Sequence, residues 1–249
     1  RHGNQTQGSF SPYCSNWSNY LNGSTDYFVT ASATGWGSGN WTFEVWLFPT
    51  ASATQTVFDY RTSSQGFYPG VFINSSNQPY FYVNSTIVIT ASSALTLNTW
   101  SHVALVKNSS TTTMYINGVS AGTYSDSNTY LGNAVSVGVS GLTADSRNYK
   151  FTGYMSNFRV VIGTAVYTAN FTPPTGPLTA ITNTNMLICQ ANRFIDSSTN
   201  AYSITVTGSP SVQRFSPFAP TAAYSTATIG GSGYFDGSGD YLSVSSNTA

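Results

Sequence analysis

Short runs of β-branched and aromatic residues recur along the chain, and within each run successive side chains fall on opposite faces of a pleated strand. The clearest run is Trp41-Thr42-Phe43-Glu44-Val45-Trp46-Leu47-Phe48, stopped by Pro49. Further β-branched and aromatic runs at 57–61, 70–73, 79–83, 100–107, 113–117, 134–139 and 153–162 are bounded by Ser, Asn, Gly or Pro. They predict strands with turns roughly every eight to twelve residues, the rhythm of an all-β sandwich or jelly roll. Asn117-Gly118 predicts a two-residue hairpin, because both positions of that turn need positive φ. Helix signals hardly appear.

The run from 41 to 48 is apolar on both faces. One face carries Trp41, Phe43, Val45 and Leu47, and the other carries Thr42, Glu44, Trp46 and Phe48. One side fills the core; the other is expected to lie under a loop, a neighbouring copy or a ligand. Glu44, flanked by aromatics, reads as a buried carboxylate satisfied by backbone or hydroxyl donors. His102 reads as a hydrogen-bonded histidine of the sandwich.

The chain echoes itself. Tyr20-Leu21-Asn22-Gly23-Ser24-Thr25-Asp26-Tyr27-Phe28-Val29 returns as Tyr234-Phe235-Asp236-Gly237-Ser238-Gly239-Asp240-Tyr241-Leu242-Ser243, and Phe10-Ser11-Pro12-Tyr13 returns as Phe215-Ser216-Pro217-Phe218. The expected organisation is one module over residues 10–180, followed by connecting strands and the opening of a second, incomplete module over 181–249. The apolar runs 186–189 and 201–206 are expected to be strands that either complete the first module or open the second.

Composition narrows the function classes. Eight Lys+Arg balance eight Asp+Glu, and charged residues are only 6% of the chain. Nothing electrostatic favours nucleic acid or an anionic membrane, and no apolar run suits membrane insertion. Ser and Thr together number 71 and Asn 21, so the surface is neutral hydroxyl and amide. That suits a molecule held in an assembly or outside a cell. Cys14 and Cys189 allow one disulfide.

The runs Trp41-Thr42-Phe43-Glu44-Val45-Trp46-Leu47-Phe48-Pro49-Thr50, Leu97-Asn98-Thr99-Trp100-Ser101-His102-Val103-Ala104, Met114-Tyr115-Ile116-Asn117-Gly118, Phe151-Thr152-Gly153-Tyr154-Met155-Ser156-Asn157-Phe158-Arg159 and Ala165-Val166-Tyr167-Thr168-Ala169-Asn170-Phe171-Thr172-Pro173-Pro174 carry a resemblance. The chain resembles the laminin-G-like, concanavalin-A-like jelly rolls, in the form of tandem modules in virion proteins of marine cyanobacterial phages. The segment Leu187-Ile188-Cys189-Gln190-Ala191-Asn192-Arg193-Phe194-Ile195-Asp196 is similar to the stretch between those modules. Family members often have Asp-Glu where Ser156-Asn157 follows Met155 here, which weakens any inherited ligand or ion site at that place.

Candidate chemistry is sparse. Glu44 is the single glutamate and the seven aspartates are scattered, so the clustered carboxylates that glycoside hydrolysis needs are missing. Two histidines make no zinc set, and no nucleophile motif is present. The reading is therefore not an enzyme. Asp236-x-Ser238-x-Asp240, echoed as Asn22-x-Ser24-x-Asp26, places oxygens two apart as calcium loops do, making Asp26, Asp236 and Asp240 calcium candidates; an Asx-stabilised turn explains the same spacing without an ion. Trp36, Tyr60, Phe67 and Tyr68 are candidate stacking platforms for sugar rings, and aromatics in such loops equally cap a sandwich or contact a neighbouring subunit.

Two functions follow as expectations. The first is a structural virion protein, a capsid decoration or a tail or appendage fibre at the virion surface, whose partners are neighbouring copies or other virion proteins. The alternative is a glycan-binding adhesin of a viral or bacterial surface, with a cell-surface glycan as partner.

Overall fold

The computed structural model describes residues 16–143 and 146–218 of the 249-residue chain. Cys14, Asp236, Asp240 and the echoed segment 234–243 lie outside the described residues.

Two antiparallel sheets face one another, and the described residues include no α-helix. The eight-stranded sheet runs β10 (Val119–Ser125), β9 (Thr111–Ile116), β8 (Ser101–Asn108), β3 (Trp41–Pro49), β12 (Thr152–Ile162), β1 (Ser18–Asn22) and β15 (Ser211–Gln213), with β13 (Thr184–Ile188) also on β12. The seven-stranded sheet runs β14 (Ile204–Thr207), β2 (Tyr27–Ser32), β11 (Ala134–Val137), β4 (Gln55–Asp59), β5 (Gly70–Ile73), β6 (Pro79–Val83) and β7 (Thr86–Thr90). The jelly-roll sandwich expected from the strand runs is the observed fold.

Alternation decides which side chains meet between the sheets. Trp41, Phe43, Val45 and Leu47 of β3 point inward and are fully buried, where Phe43 meets Phe58 edge-on at 4.6 Å and Trp41 meets Phe81 at 6.1 Å. Such contacts between aromatic edges and faces add to the area buried and fix how the layers interdigitate.

Strand β12 organises one end of the molecule. One edge pairs with β3; the other is shared, its first half taken by β1 and its second by β13. The run 186–189 thus lies largely in β13, and the run 201–206 enters β14, which pairs with β2. With β15 on β1, residues 184–213 belong to the first module's sheets, extending it past the boundary expected at 180.

The Asn117-Gly118 turn is as expected: φ is +50° and +78°, and Val119 lies opposite Ile116. Here glycine is also required by space, since a Cβ on Gly118 would stand 1.8 Å from the carbonyl oxygen of Phe171.

That carbonyl belongs to the segment 163–180, which roofs the outer face of the eight-stranded sheet. Gly163 N donates to Asn40 O at 2.7 Å, Val166 N to Thr42 Oγ1 at 2.9 Å, Phe171 N to Gly118 O at 2.9 Å and Leu178 N to Asn157 Oδ1 at 2.7 Å. Tyr167 stacks on Phe171 with centroids 3.6 Å apart, above Ala104, Val106 and Tyr115. Thr42 and Glu44 on the second face of β3 are therefore covered by a loop, one of the three covers its pattern allowed, while Trp46 and Phe48 of that face lie beyond the roof and are half-buried.

Candidate functional site

Beneath the roof lies a closed polar cluster. Arg159 is the cross-strand partner of Glu44, and its Nε and Nη2 donate to Glu44 Oε1 at 2.9 and 2.5 Å. Tyr167 Oη donates to Oε2 at 2.8 Å, and His102 Nε2 lies 3.2 Å from the same oxygen. Burial pushes the Glu44 carboxyl up, but the His102 hydrogen bond, the Arg159 charge and the Tyr167 hydroxyl outweigh it and hold the carboxyl below its ordinary value. The Tyr167 hydroxyl is a donor of the kind expected, whereas the guanidinium and the imidazole stand where backbone donors were the alternative. Glu44 and His102 are fully buried, so the cluster ties the roof down and offers nothing to a ligand.

The other acids are committed in the same way. Asp26, Glu44, Asp59, Asp126 and Asp196, all the carboxylates among the described residues, are buried. Asp126 accepts from Tyr130 Oη at 2.7 Å beside the Lys107 ammonium, and Asp196 accepts from the backbone N–H groups of Leu187, Ser198 and Tyr202.

The calcium candidates divide. Asn22 Oδ1 accepts from the backbone N–H groups of Ser24, Thr25 and Asp26 at 2.8, 2.9 and 3.2 Å, an Asx turn. Asp26 Oδ1 accepts from Thr25 Oγ1 and from Ser209 N, each at 2.9 Å. The spacing of oxygens in this copy thus organises the β1–β2 turn and anchors the β14–β15 connection. Among the described residues no three His, Cys, Asp or Glu side chains gather as a metal set.

The expected stacking platforms need correction. Trp36 and Tyr60 are brought together, with Trp36 Nε1 donating to Tyr60 Oη at 3.1 Å, but both lie in the core at 1% and 0% exposure. Trp36 is enclosed by Trp41, Phe58, Tyr60 and Tyr130, so neither of its ring faces is open to a sugar. Tyr68 packs against the core, and Phe67 alone of the four is exposed, at 40%. Ser156 and Asn157, where the family's acidic pair is missing, are buried; Ser156 Oγ donates to Trp17 O at 2.6 Å.

The outer face of the seven-stranded sheet carries an aromatic surface instead. Tyr80 and Tyr82 of β6 alternate with the buried Phe81 and Val83 and are half-buried. Phe72, opposite Tyr80 in the register, stacks on it at 5.4 Å and 15°. Opposite Tyr82 is Gly70, where a Cβ would stand 2.8 Å from the Phe72 ring, and the Arg61 guanidinium carbon stands 4.6 Å from the Tyr82 centroid. Asp59 fixes that guanidinium: Arg61 Nη2 donates to Asp59 Oδ2 at 2.8 Å and Nε to Oδ1 at 3.0 Å. Gly141 N donates to Asp59 Oδ2 at 2.9 Å. Along the same face Arg147 Nη1 donates to Ser136 Oγ at 3.1 Å and stands over Tyr27. Ile87, opposite Tyr82, is 53% exposed.

A cleft of about 430 Å³ lies elsewhere, lined by Thr34, Ile162, Thr182, Asn183, Asn185 and Asn200 among others. No aromatic ring lines it, and its amide nitrogens serve the fold: Asn185 Nδ2 donates to Tyr202 Oη and Asn200 Nδ2 to Asn185 O, while Asn185 Oδ1 is buried without a donor. The tyrosine face is the better candidate site.

The fold is a lectin-type sandwich. Residues 22–165 match a laminin G family model described as the concanavalin A-like lectin/glucanases superfamily, and the chain belongs to that superfamily. A search of curated proteins finds no match. Among solved structures, a Bacteroides ovatus ATCC 8483 protein to which carbohydrate binding is ascribed is similar at TM-score 0.62 and 14% identity, over 82% of this chain and 61% of that one. The heptameric SAP-like pentraxin of Limulus polyphemus is similar at TM-score 0.58 and 14% identity, over 81% of this chain and 96% of that one. At these identities the likeness is one of fold.

Proposed function

We propose that the chain is a non-catalytic glycan-contact module displayed outside the cell or on a particle surface, and that sugar rings lie against Tyr80 and Tyr82. The carrying observation is the pair of half-exposed tyrosines on one open face, Tyr80 stacked on Phe72 and Tyr82 under the Arg61 guanidinium. Apolar faces of sugars stack on rings that are held still, because a fixed ring loses little entropy on binding. Neutral Ser and Thr hydroxyls along the sheet suit the hydroxyls of a neutral glycan. The commitment of every described carboxylate to structural hydrogen bonds argues against turnover, and the superfamily and the Bacteroides ovatus neighbour lend the glycan reading support.

A glycan array probed with the whole chain, with and without chelator, tests it. Binding that is lost in Tyr82→Ala with the fold intact is expected; no binding in either condition sinks the reading. Assembly into a virion or another ordered array is a second reading, favoured by the repeated Phe-Ser-Pro-aromatic segment.

A further inference from the structure

Four aromatic side chains form one cross-strand row on the outer face of the eight-stranded sheet, beyond the roof. Tyr20 of β1 is opposite Tyr154 of β12, and Tyr154 is opposite Phe48 of β3. Trp100, just before β8, continues the row at 5.5 Å from Phe48. Two residues back along β3, Trp46 begins a second row with His102 at 5.2 Å. A broad aromatic surface of this kind on a sheet calls for a partner.

Within this chain the partner is Phe215-Ser216-Pro217-Phe218. Phe215 sits on the first row, 4.8 Å from Phe48, 4.8 Å from Tyr154 and 5.5 Å from Trp100. Phe218 sits on the second, 5.7 Å from Trp46. The two rings are three residues apart and bridge rows that are two strand positions apart, about 7 Å. Ser216 is buried between them, its Oγ accepting from Phe218 N. Ser18 Oγ donates to the Phe215 carbonyl, fixing the segment's start against β1. Proline at the third position limits the backbone's freedom before docking.

The same four-residue pattern stands at Phe10-Ser11-Pro12-Tyr13, ten residues before Tyr20; Phe215 stands nineteen before the echoed Tyr234. Each segment therefore leads into a module opening, yet the one whose seat is described docks on the module before it. We propose that the aromatic rows are a receptor for the Phe-Ser-Pro-aromatic segment, and that residues 10–13 occupy the same rows on a second copy of this module. The leading segment of one copy is thereby held on the outer face of another. Because residues 215–218 are tethered, they compete in cis at high effective concentration, and the second copy's segment enters only where those rows are vacant. The inference is independent of the glycan reading, since it uses the opposite sheet.

The test is titration of a peptide spanning residues 7–16, carrying Cys14→Ser, into the full chain with Phe215→Ala and Phe218→Ala, followed by calorimetry and by the indole N–H signals of Trp46 and Trp100. Saturable binding that shifts both indoles, at least about tenfold weaker to the wild-type chain and abolished by Phe10→Ala in the peptide, is expected. No binding to a variant that still melts cooperatively overturns the proposal. Should the variant not fold, the peptide with a photoreactive phenylalanine at position 10 is cross-linked to the wild-type chain. Cross-links at Phe48, Trp100 or Tyr154 support the proposal; cross-links confined to other sites, or none, overturn it.

Discussion

Arg159 and Glu44 are 115 residues apart in sequence and directly opposite one another in the β3–β12 register, with two guanidinium nitrogens on one carboxylate oxygen. Their charges are buried together beneath the roof, so removing either one strands the other. Arg159→Met is expected to cost about 3–5 kcal/mol in urea unfolding, more than the double variant that also carries Glu44→Leu. A double variant less stable than the single one would contradict this.

The same carboxylate sets a pH dependence. Its folded value is held below 4.5, its ordinary one, so it stabilises the fold above that value and the contribution is lost as pH falls through the lower folded value. Urea midpoints measured from pH 7 to pH 3 are expected to fall at the acid end in the wild type and to fall less in Glu44→Gln, which starts lower at pH 7.

Gly118→Ala is expected to loosen the roof, because its Cβ meets the Phe171 carbonyl oxygen at 1.8 Å and φ is +78°. Gly37→Ala is the control: φ is +69°, but the Cβ enters open space. Gly37→Ala should cost about 1 kcal/mol from backbone strain alone, and Gly118→Ala clearly more, as read from thermal melts.

Trp36→Ala and Tyr82→Ala separate core from surface. The first empties the centre of an aromatic cluster and is expected to cost about 3–5 kcal/mol. Tyr82→Ala, half-buried on the open face, should leave the melting temperature nearly unchanged while removing glycan retention on an affinity column.

Cys189 is a buried free thiol whose pKa burial pushes up, which disfavours the reactive thiolate. Iodoacetamide labelling of the Cys189 peptide, followed by mass spectrometry, is expected to be slow in the native chain and fast in urea. Rapid native labelling would show that β13 opens locally.

The strands that span the core were legible because both their faces carry a signal. Residues 70–73 and 79–83 stand as β5 and β6 with the expected bounds, and 41–49 as β3. Thr86–Thr90 and Val119–Ser125, absent from the expected runs, are largely exposed edge elements whose residues have little to bury. Ser18–Asn22, Tyr27–Ser32 and Ser211–Gln213 are absent from those runs too, although β1 and β2 lie inside their sheets. The Trp36 and Tyr60 assignments went astray because a glycine-flanked tryptophan looks the same whether its loop turns outward or folds into the sandwich. The alternation Tyr80-Phe81-Tyr82-Val83 did mark an outer tyrosine pair. Its support by Arg61 was hidden, since that contact depends on Asp59 holding the guanidinium beside a strand two connections further on. Arg159 carried no local sign of its carboxylate, which only strand register supplies.

The divided edge of β12 has a consequence for biosynthesis. Its two halves are zipped by β1, near the start of the chain, and by β13, some 165 positions later, while β14 and β15 return still later to β2 and β1. A nascent chain on the ribosome cannot finish either layer until about residue 213 has emerged, leaving open hydrogen-bonding margins throughout elongation. Maturation of this protein should accordingly be slow and sensitive to chaperones that shield unpaired strands.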